Sequence, residues 1–274
     1  MLGVALVLLA ATVWLEALVV GLATGQGARA SLAIVTRDAG ALAIAQGVGL
    51  GAPVLLAARL RGVSLRSFLG VSLRACPWDR IAAASLAGAC LQLPMAELAH
   101  HMAELLPTLA RTAEQEAALR ETMRVDSLYD GIAVPLAVVV LAPITEELLF
   151  RAFAQPELAR GYGTLAAIMA VSVAFAAFHG DPTGLPSILL AGLALGVLAA
   201  RWRSVRITIA MHAGVNAIPI VLNESVLPIR GFNDTDPSSH VPWPVVLASV
   251  VGFGLAYGYA LGPGRPPEPV AEPS

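Results

Sequence analysis

Long apolar stretches recur along almost the whole sequence, and they constrain the fold more than any other feature. Hydrophobic residues make up 57% of the chain and charged residues only 13%. Soluble domains carry a charge on about a quarter of their residues, so this composition leaves too little polar surface for a water-soluble globule. A hydrocarbon core about 30 Å thick is crossed by about 20 helical residues. We therefore predict an all-α fold, a polytopic bundle of about eight transmembrane helices.

Eight apolar stretches are candidates for these spans. Their approximate bounds are 2–23, 39–58, 81–98, 132–158, 164–179, 186–202, 207–222 and 242–261. The first is longer than the core of a signal peptide, and we interpret it as a retained span. The polar interval 100–130 alternates glutamates with leucines. It is predicted to be an amphipathic helix that lies on the membrane or caps the bundle.

This reading divides the chain into four segments. The N-terminal spans and the amphipathic segment occupy residues 1–130, and the core spans with three polar motifs occupy residues 131–223. An exterior loop and the last span follow at 224–261, and a Pro-rich tail follows at 262–274. We expect the tail to be disordered.

Arginines are concentrated in two loops. These are Arg59, Arg61, Arg66, Arg74 and Arg80 between spans two and three, and Arg201, Arg203 and Arg206 between spans six and seven. The positive-inside rule places both loops, and by alternation both termini, in the cytoplasm. No long basic run favours nucleic-acid binding. The chain is rich in alanine and arginine and has no lysine, which favours a bacterial protein of the inner (cytoplasmic) membrane.

The fourth span carries the strongest polar signal, the run EELLFR at residues 146–151. Glu147 and Arg151 are four residues apart with the acid first, the favourable order for an ion pair along a helix. Glu146 projects about 100° away around the helix and lacks a local cation. Ionisable residues inside spans are costly, so we interpret Glu147 and Arg151 as a structural pair and Glu146 as a candidate functional carboxylate. The alternative is that both acids mark the cytoplasmic end of the span, with Arg151 as the charge of its last turn.

Two further spans carry polar residues one helical turn apart. Phe175 and His179 share one face of the fifth span, and His212 and Asn216 share one face of the seventh. A single histidine inside a membrane can be a hydrogen-bonded packing residue. Two histidines, an asparagine and a glutamate on three spans predict a common site.

In this order, Glu-Glu-x-x-x-Arg, Phe-x-x-x-His and His-x-x-x-Asn resemble the CPBP (Abi, CAAX protease-like) family of intramembrane endopeptidases, which includes the type II CAAX prenyl endopeptidases. The resemblance covers about residues 132–222. It implies hydrolysis of a membrane-associated protein or peptide. It also implies the following roles: Glu146 as the base that activates water, His179 holding that water, His212 and Asn216 stabilising the oxyanion, and Glu147, Arg151 and Phe175 as supporting residues.

We favour a mechanism without a cofactor, with zinc bound by Glu146, His179 and His212 as the alternative. The sequence has no His-Glu-x-x-His motif that would place two ligands on one helix face. Asn216 pairs His212 with an amide donor, which suits an oxyanion hole better than a metal's ligand set.

Two other functions remain open. One is a non-catalytic membrane scaffold or immunity-type protein of the same fold that binds a peptide or partner. The other is a transporter, although no inverted repeat is found in the sequence.

A second group of polar residues lies at the end of the third span. Glu97, His100, His101 and Glu104 form two crossed Glu/His pairs at i, i+4 spacing. A metal site is possible here, but we expect the pairs to stabilise the helix end. We expect His240, in an exterior loop, to be solvated.

Overall fold

The computed structural model describes residues 38–60, 62, 64, 68, 73, 75–122, 124–222, 227–233 and 239–263. All regular structure in these residues is helical, which confirms the all-α prediction. Helix α1 comprises Ala39–Gln46, the π-helical turn Gly47–Gly51 and Ala52–Leu60. It is followed by α2 (Trp78–Leu105), α3 (Ala113–Thr122), α4 (Leu128–Tyr162), α5 (Thr164–Phe178), α6 (Leu185–Trp202), α7 (Val205–Val221) and α8 (Trp243–Leu261). The predicted span 2–23 and residues 264–274 of the predicted tail lie outside this description.

Seven of the eight predicted spans coincide with these helices. Helices α2, α4, α6 and α8 are long and apolar enough to cross a membrane, whereas α5, α7 and the Gly47–Leu56 part of α1 are shorter apolar helices. The outer face of α8 exposes Leu247, Val251 and Leu255, which follow one another at helical spacing. A contiguous apolar face of this kind is stable only against lipid or another apolar surface. The chain is therefore an integral membrane protein.

The prediction of one amphipathic helix over residues 100–130 is wrong. Helix α2 continues to Leu105, a turn follows, and the short helix α3 is separate from both α2 and α4. Pro107 explains the break, because proline disfavours helical backbone in the residue before it and lacks the N–H that continues a helix.

Helix α4 runs continuously for 35 residues and carries two π-helical segments, Leu136–Leu141 and Leu148–Ala154. Its start is fixed by a capping box, in which Ser127 Oγ accepts from the Asp130 N–H and the Asp130 carboxylate accepts from the Ser127 N–H. The α-helical stretch between the π-helical segments, Ala142–Glu147, carries both glutamates. π-Helical turns within α-helices are frequent at functional sites.

Helices α2 and α7 approach each other closely enough for backbone contact. A Cβ added at Gly88 would lie 1.9 Å from the Met211 carbonyl oxygen, and one added at Gly214 would lie 2.1 Å from the Ser85 carbonyl oxygen. Both obstructing atoms belong to the backbone, so a side-chain movement cannot relieve the clash. Small residues at helix contacts allow this approach in membrane proteins.

We expect Gly88→Ala to force α2 away from α7 and to lower the stability of the bundle by about 1–3 kcal/mol. The measurement is the thermal unfolding midpoint of the purified protein in detergent. Gly258→Ala on α8 is the matched control, because no atom of the residues that the structure describes lies within 4 Å of its added Cβ. Alanine favours helix over glycine, so the control should be unchanged or slightly more stable. Equal midpoints for the two variants would contradict the prediction.

Candidate active site

A buried ion pair lies at the centre of the site. Arg151 Nη1 lies 3.0 Å from Glu147 Oε1, and neither side chain is exposed to solvent. The second terminal nitrogen, Arg151 Nη2, donates to the Gly192 carbonyl of α6 at 3.3 Å. The i, i+4 spacing predicts the contact with Glu147, but it gives no indication of the contact with Gly192.

Glu147 also holds His212, a contact that sequence reasoning missed. His212 Nδ1 lies 3.1 Å from Glu147 Oε1. This one carboxylate oxygen therefore contacts both Arg151 and His212. The other ring nitrogen, Nε2, lies 3.9 Å from Glu146 Oε2. His212 thus connects the two adjacent glutamates of α4 through its two nitrogens.

His179 reaches Glu146 from a third helix. Its Nε2 lies 3.9 Å from Glu146 Oε2, and its Nδ1 lies 2.8 Å from the Phe175 carbonyl oxygen. Helix α5 has 15 residues and rises about 22 Å, which is short of a bilayer core about 30 Å thick. Gly180, with φ of +62°, ends the helical path immediately after His179. The short helix therefore ends at the level of Glu146.

The hydrogen bonds assign the proton positions of both imidazoles. The Phe175 carbonyl and the Glu147 carboxylate can only accept, so Nδ1 carries the proton in His179 and in His212. In the neutral rings, both Nε2 atoms then carry no proton, and each presents a lone pair towards Glu146. Glu146 Oε2 is itself buried and has no hydrogen-bond partner among the described residues. A separation of 3.9 Å is too long for a direct hydrogen bond and suits a bridging water.

Phe175 packs against the charged and aromatic groups of the site. The Arg151 guanidinium lies 4.1 Å from the centre of its ring, and the His179 ring meets it edge-on at 4.7 Å. Phe150 contacts it at 5.3 Å, also edge-on. Phe175 is buried, so it keeps water away from the ion pair and restrains both side chains.

Asn216 is engaged with α4 rather than with the two histidines. Its Nδ2 donates to the Val138 carbonyl oxygen at 2.9 Å. At the end of the π-helical segment the Ala142 N–H bonds to the carbonyl of Ala137, five residues earlier. In the same register, the donor for the Val138 carbonyl would be the backbone nitrogen of Pro143. Proline has no N–H, and the Val138 carbonyl is therefore free to accept from Asn216. The sequence contains both residues, but only the π-helical register relates them.

The side chains of Glu146, His179 and His212 are of the types that bind zinc, since imidazole nitrogens and carboxylate oxygens are common zinc ligands. Bond lengths of about 2.0–2.2 Å put neighbouring ligands of tetrahedral zinc about 3.4 Å apart. The two separations from Glu146 Oε2 are 3.9 Å, and the three ligand atoms do not all lie within 4.8 Å of one another, so zinc binding would require the two histidines to move closer together.

A cavity of about 660 Å³ lies beside the site rather than over it. Its wall includes Asp181 and Thr183 of the turn after His179, together with Arg111 and Arg120. Arg111 forms an ion pair with Asp181 at 2.6 Å and so joins the segment before α3 to this turn.

Comparison with protein families gives one match. The family described as Type II CAAX prenyl endopeptidase Rce1-like matches residues 129–218 of the 274-residue chain. Comparison with curated proteins and with solved structures yields no match. The matched segment contains Glu146, His179 and His212, and the match confirms the resemblance of the three motifs. The segment that builds the site is therefore similar to the Rce1-like, CAAX protease-like family.

Proposed function

We propose that the chain is an intramembrane endopeptidase that hydrolyses a peptide bond of a membrane-associated protein or peptide. The observation that carries the proposal is the buried Oε2 of Glu146, which has no hydrogen-bond partner among the described residues and faces two imidazole nitrogens at 3.9 Å. This arrangement suits a water molecule that donates to the carboxylate and to one of the two imidazoles. The description of the matched family as a CAAX prenyl endopeptidase favours a bond near the C-terminus of the substrate.

In this proposal Glu146 is the general base. A water that donates one hydrogen bond to Glu146 Oε2 and another to His179 Nε2 presents a lone pair to the substrate carbonyl. Glu146 takes the proton as the water oxygen attacks the carbonyl carbon. His179 keeps its orientation because its Nδ1–H is bonded to the Phe175 carbonyl.

The resulting oxyanion and the leaving amine both need donors. The neutral Nε2 of His212 has no proton to donate, so His212 becomes a donor only after that nitrogen takes the proton from Glu146. Glu147, 3.1 Å from Nδ1, stabilises the imidazolium that forms. The Asn216 amide has a second N–H beyond the one given to Val138 and serves as a neutral donor to the oxyanion. When the C–N bond breaks, the proton on His212 passes to the amine.

Zinc held by Glu146, His179 and His212 would supply a bound water of pKa about 7. We favour the route without it, and the test is activity after exhaustive chelation with metal content measured in the same sample. We expect turnover to stay within a few-fold of the untreated protein. Turnover that is lost on chelation and regained only with zinc, together with a zinc content that falls in His179→Ala, would make the two histidines metal ligands.

The proteolytic activity is tested by comparing new peptide ends. The full chain and its Glu146→Gln variant would be produced at equal levels in a bacterial host, and the termini of membrane proteins identified by mass spectrometry. We expect a set of cleaved ends that occurs only with the wild-type chain. Identical ends in both samples, with a purified chain that binds peptides but does not cut them, would favour the non-catalytic scaffold.

We also propose a bacterial cytoplasmic membrane as the location, with both termini in the cytoplasm. The arginine-bearing start of α2 and the arginine-bearing end of α6 both contact the end of α8. Arg80 at the start of α2 bonds to the Tyr259 carbonyl of α8, and Arg201 of α6 donates to the Gly262 carbonyl at 3.3 Å. The positive-inside rule favours the cytoplasm for this end and the exterior for the opposite end of α2.

A further inference from the structure

Three of the five histidines of the chain converge at the far end of α2, away from Glu146. His240, which we expected to be solvated, lies against the helix: its ring centre is 4.3 Å from that of His100 and 4.8 Å from that of His101. The side chain stays 36% exposed, in line with that expectation, but two carboxylates of α2 hold the ring in place. We call the group formed by Glu97, His100, His101, Glu104 and His240 the histidine cluster.

Within the histidine cluster, three ligand atoms lie close together. Glu97 Oε1 lies 3.1 Å from His101 Nε2 and 2.8 Å from His240 Nδ1. These separations are near the spacing of about 3.4 Å between neighbouring ligands of a tetrahedral zinc ion. All three ligand atoms lie within 4.8 Å of one another. Glu97 is mostly buried, and its other oxygen accepts from the Val241 N–H at 2.9 Å, which fixes the carboxylate.

Glu104 contacts the opposite nitrogens of the same two histidines. Its Oε2 lies 3.4 Å from His101 Nδ1, and its Oε1 lies 3.2 Å from His240 Nε2. Metal-bound histidines usually donate their second ring N–H to a carboxylate, which fixes the tautomer and orients the ring.

We propose that Glu97 Oε1, His101 Nε2 and His240 Nδ1 bind one divalent transition-metal ion of the zinc class, with Glu104 as the outer carboxylate. Two imidazoles and one carboxylate suit zinc better than magnesium or calcium, which prefer oxygen ligands. The His101 side chain is 54% exposed, so water can complete the coordination. The ion would tie the end of α2 to the segment before α8.

The histidine cluster also contains a second possible ligand set, His100, Glu104 and His240. It uses the opposite nitrogen of His240, and His100 Nε2 lies 3.7 Å from Glu104 Oε1. Among the described residues, no backbone N–H bonds to the Glu104 carboxylate in the way that the Val241 N–H bonds to Glu97. We therefore assign the ion to Glu97, and His100 provides a matched control.

The test is equilibrium zinc binding to the purified full chain after chelation, with bound metal measured directly. All proteins carry His179→Ala and His212→Ala, which removes the candidate active site as a source of zinc. We expect one zinc per chain in this background and in the added His100→Ala variant. Adding His101→Ala or Glu97→Gln should abolish the bound zinc, and Glu104→Gln should weaken binding by about 10- to 100-fold.

A spectroscopic readout accompanies the binding measurement. Cobalt(II) in place of zinc should give visible absorption bands of a four- or five-coordinate site, and these bands should disappear in the His101→Ala chain. His101 is largely exposed, so this variant should keep the elution profile and unfolding midpoint of the metal-free parent. Zinc that persists in both His101→Ala and Glu97→Gln, zinc that is lost in His100→Ala, or an absence of binding in the parent background would overturn the proposal. None of these outcomes depends on peptidase activity.

Discussion

Glu146→Gln should abolish turnover while leaving a folded, membrane-inserted protein. The change keeps the size of the side chain but removes the carboxylate that accepts the proton of the water, and loss of a general base typically lowers the rate by about 10²- to 10⁴-fold. Glu146 Oε2 has no hydrogen-bond partner among the described residues, so the amide should disturb few existing contacts. The measurement is cleavage of an identified substrate at equal protein concentration.

Glu157→Gln is the matched control for this experiment. Glu157 lies on the same helix, 11 residues along the chain from Glu146, is partly exposed and forms an ion pair with Arg160. This variant should cleave at the wild-type rate. If Glu146→Gln retained a rate within a few-fold of wild type, the attacking water would have to be activated elsewhere.

Arg151→Ala should be the most destabilising of the single substitutions considered. It leaves Glu147 as an unpaired charge in a place with no solvent exposure, and it removes the contact with the Gly192 carbonyl. Breaking one partner of a buried ion pair costs about 3–5 kcal/mol. We expect a lower unfolding midpoint in detergent and reduced accumulation. Arg160→Ala on the same helix, where the side chain is 72% exposed, should change stability by no more than about 0.5 kcal/mol.

A double variant separates the structural role of the pair from its role in activity. Replacing both charges, as Glu147→Gln with Arg151→Met, should recover much of the stability because no unpaired charge remains. Activity should stay low, because a neutral amide stabilises a protonated His212 less than the carboxylate does. An Arg151→Ala chain that is fully stable but inactive would instead place Arg151 against the substrate.

The sequence predicts contacts within a helix far better than contacts between helices. The ion pair of Glu147 and Arg151 follows from i, i+4 spacing alone. The contact between Glu147 and His212 joins residues 65 positions apart, so no local pattern contains it. The capture of the Val138 carbonyl by Asn216 depends on a π-helical register, which hydrophobic periodicity does not report.

The wrong prediction at the end of α2 and the missed contacts of His240 have different physical causes. Pro107 indicates the break after Leu105. Our prediction gave more weight to the polar periodicity of residues 100–130, which is typical of one continuous helix. We expected the His240 side chain to be solvated because the residue lies in a loop. Its carboxylate partners lie 136 and 143 positions away and become visible only when α2 packs against α8.

The depth of the site restricts the backbone conformation that a substrate can bring to it. Glu146 and His212 are only 6% and 7% exposed, whereas His179 is 31% exposed, so the approach lies on the side of His179. A helical segment has its carbonyl oxygens bonded to its own N–H groups and surrounded by side chains. The water held between Glu146 and His179 therefore cannot attack such a carbonyl until the segment unwinds. Selection would then depend on how easily a stretch of membrane-bound chain becomes extended, and sequences that unwind readily, such as chain ends or stretches with glycine or proline, would be cut before stable helices.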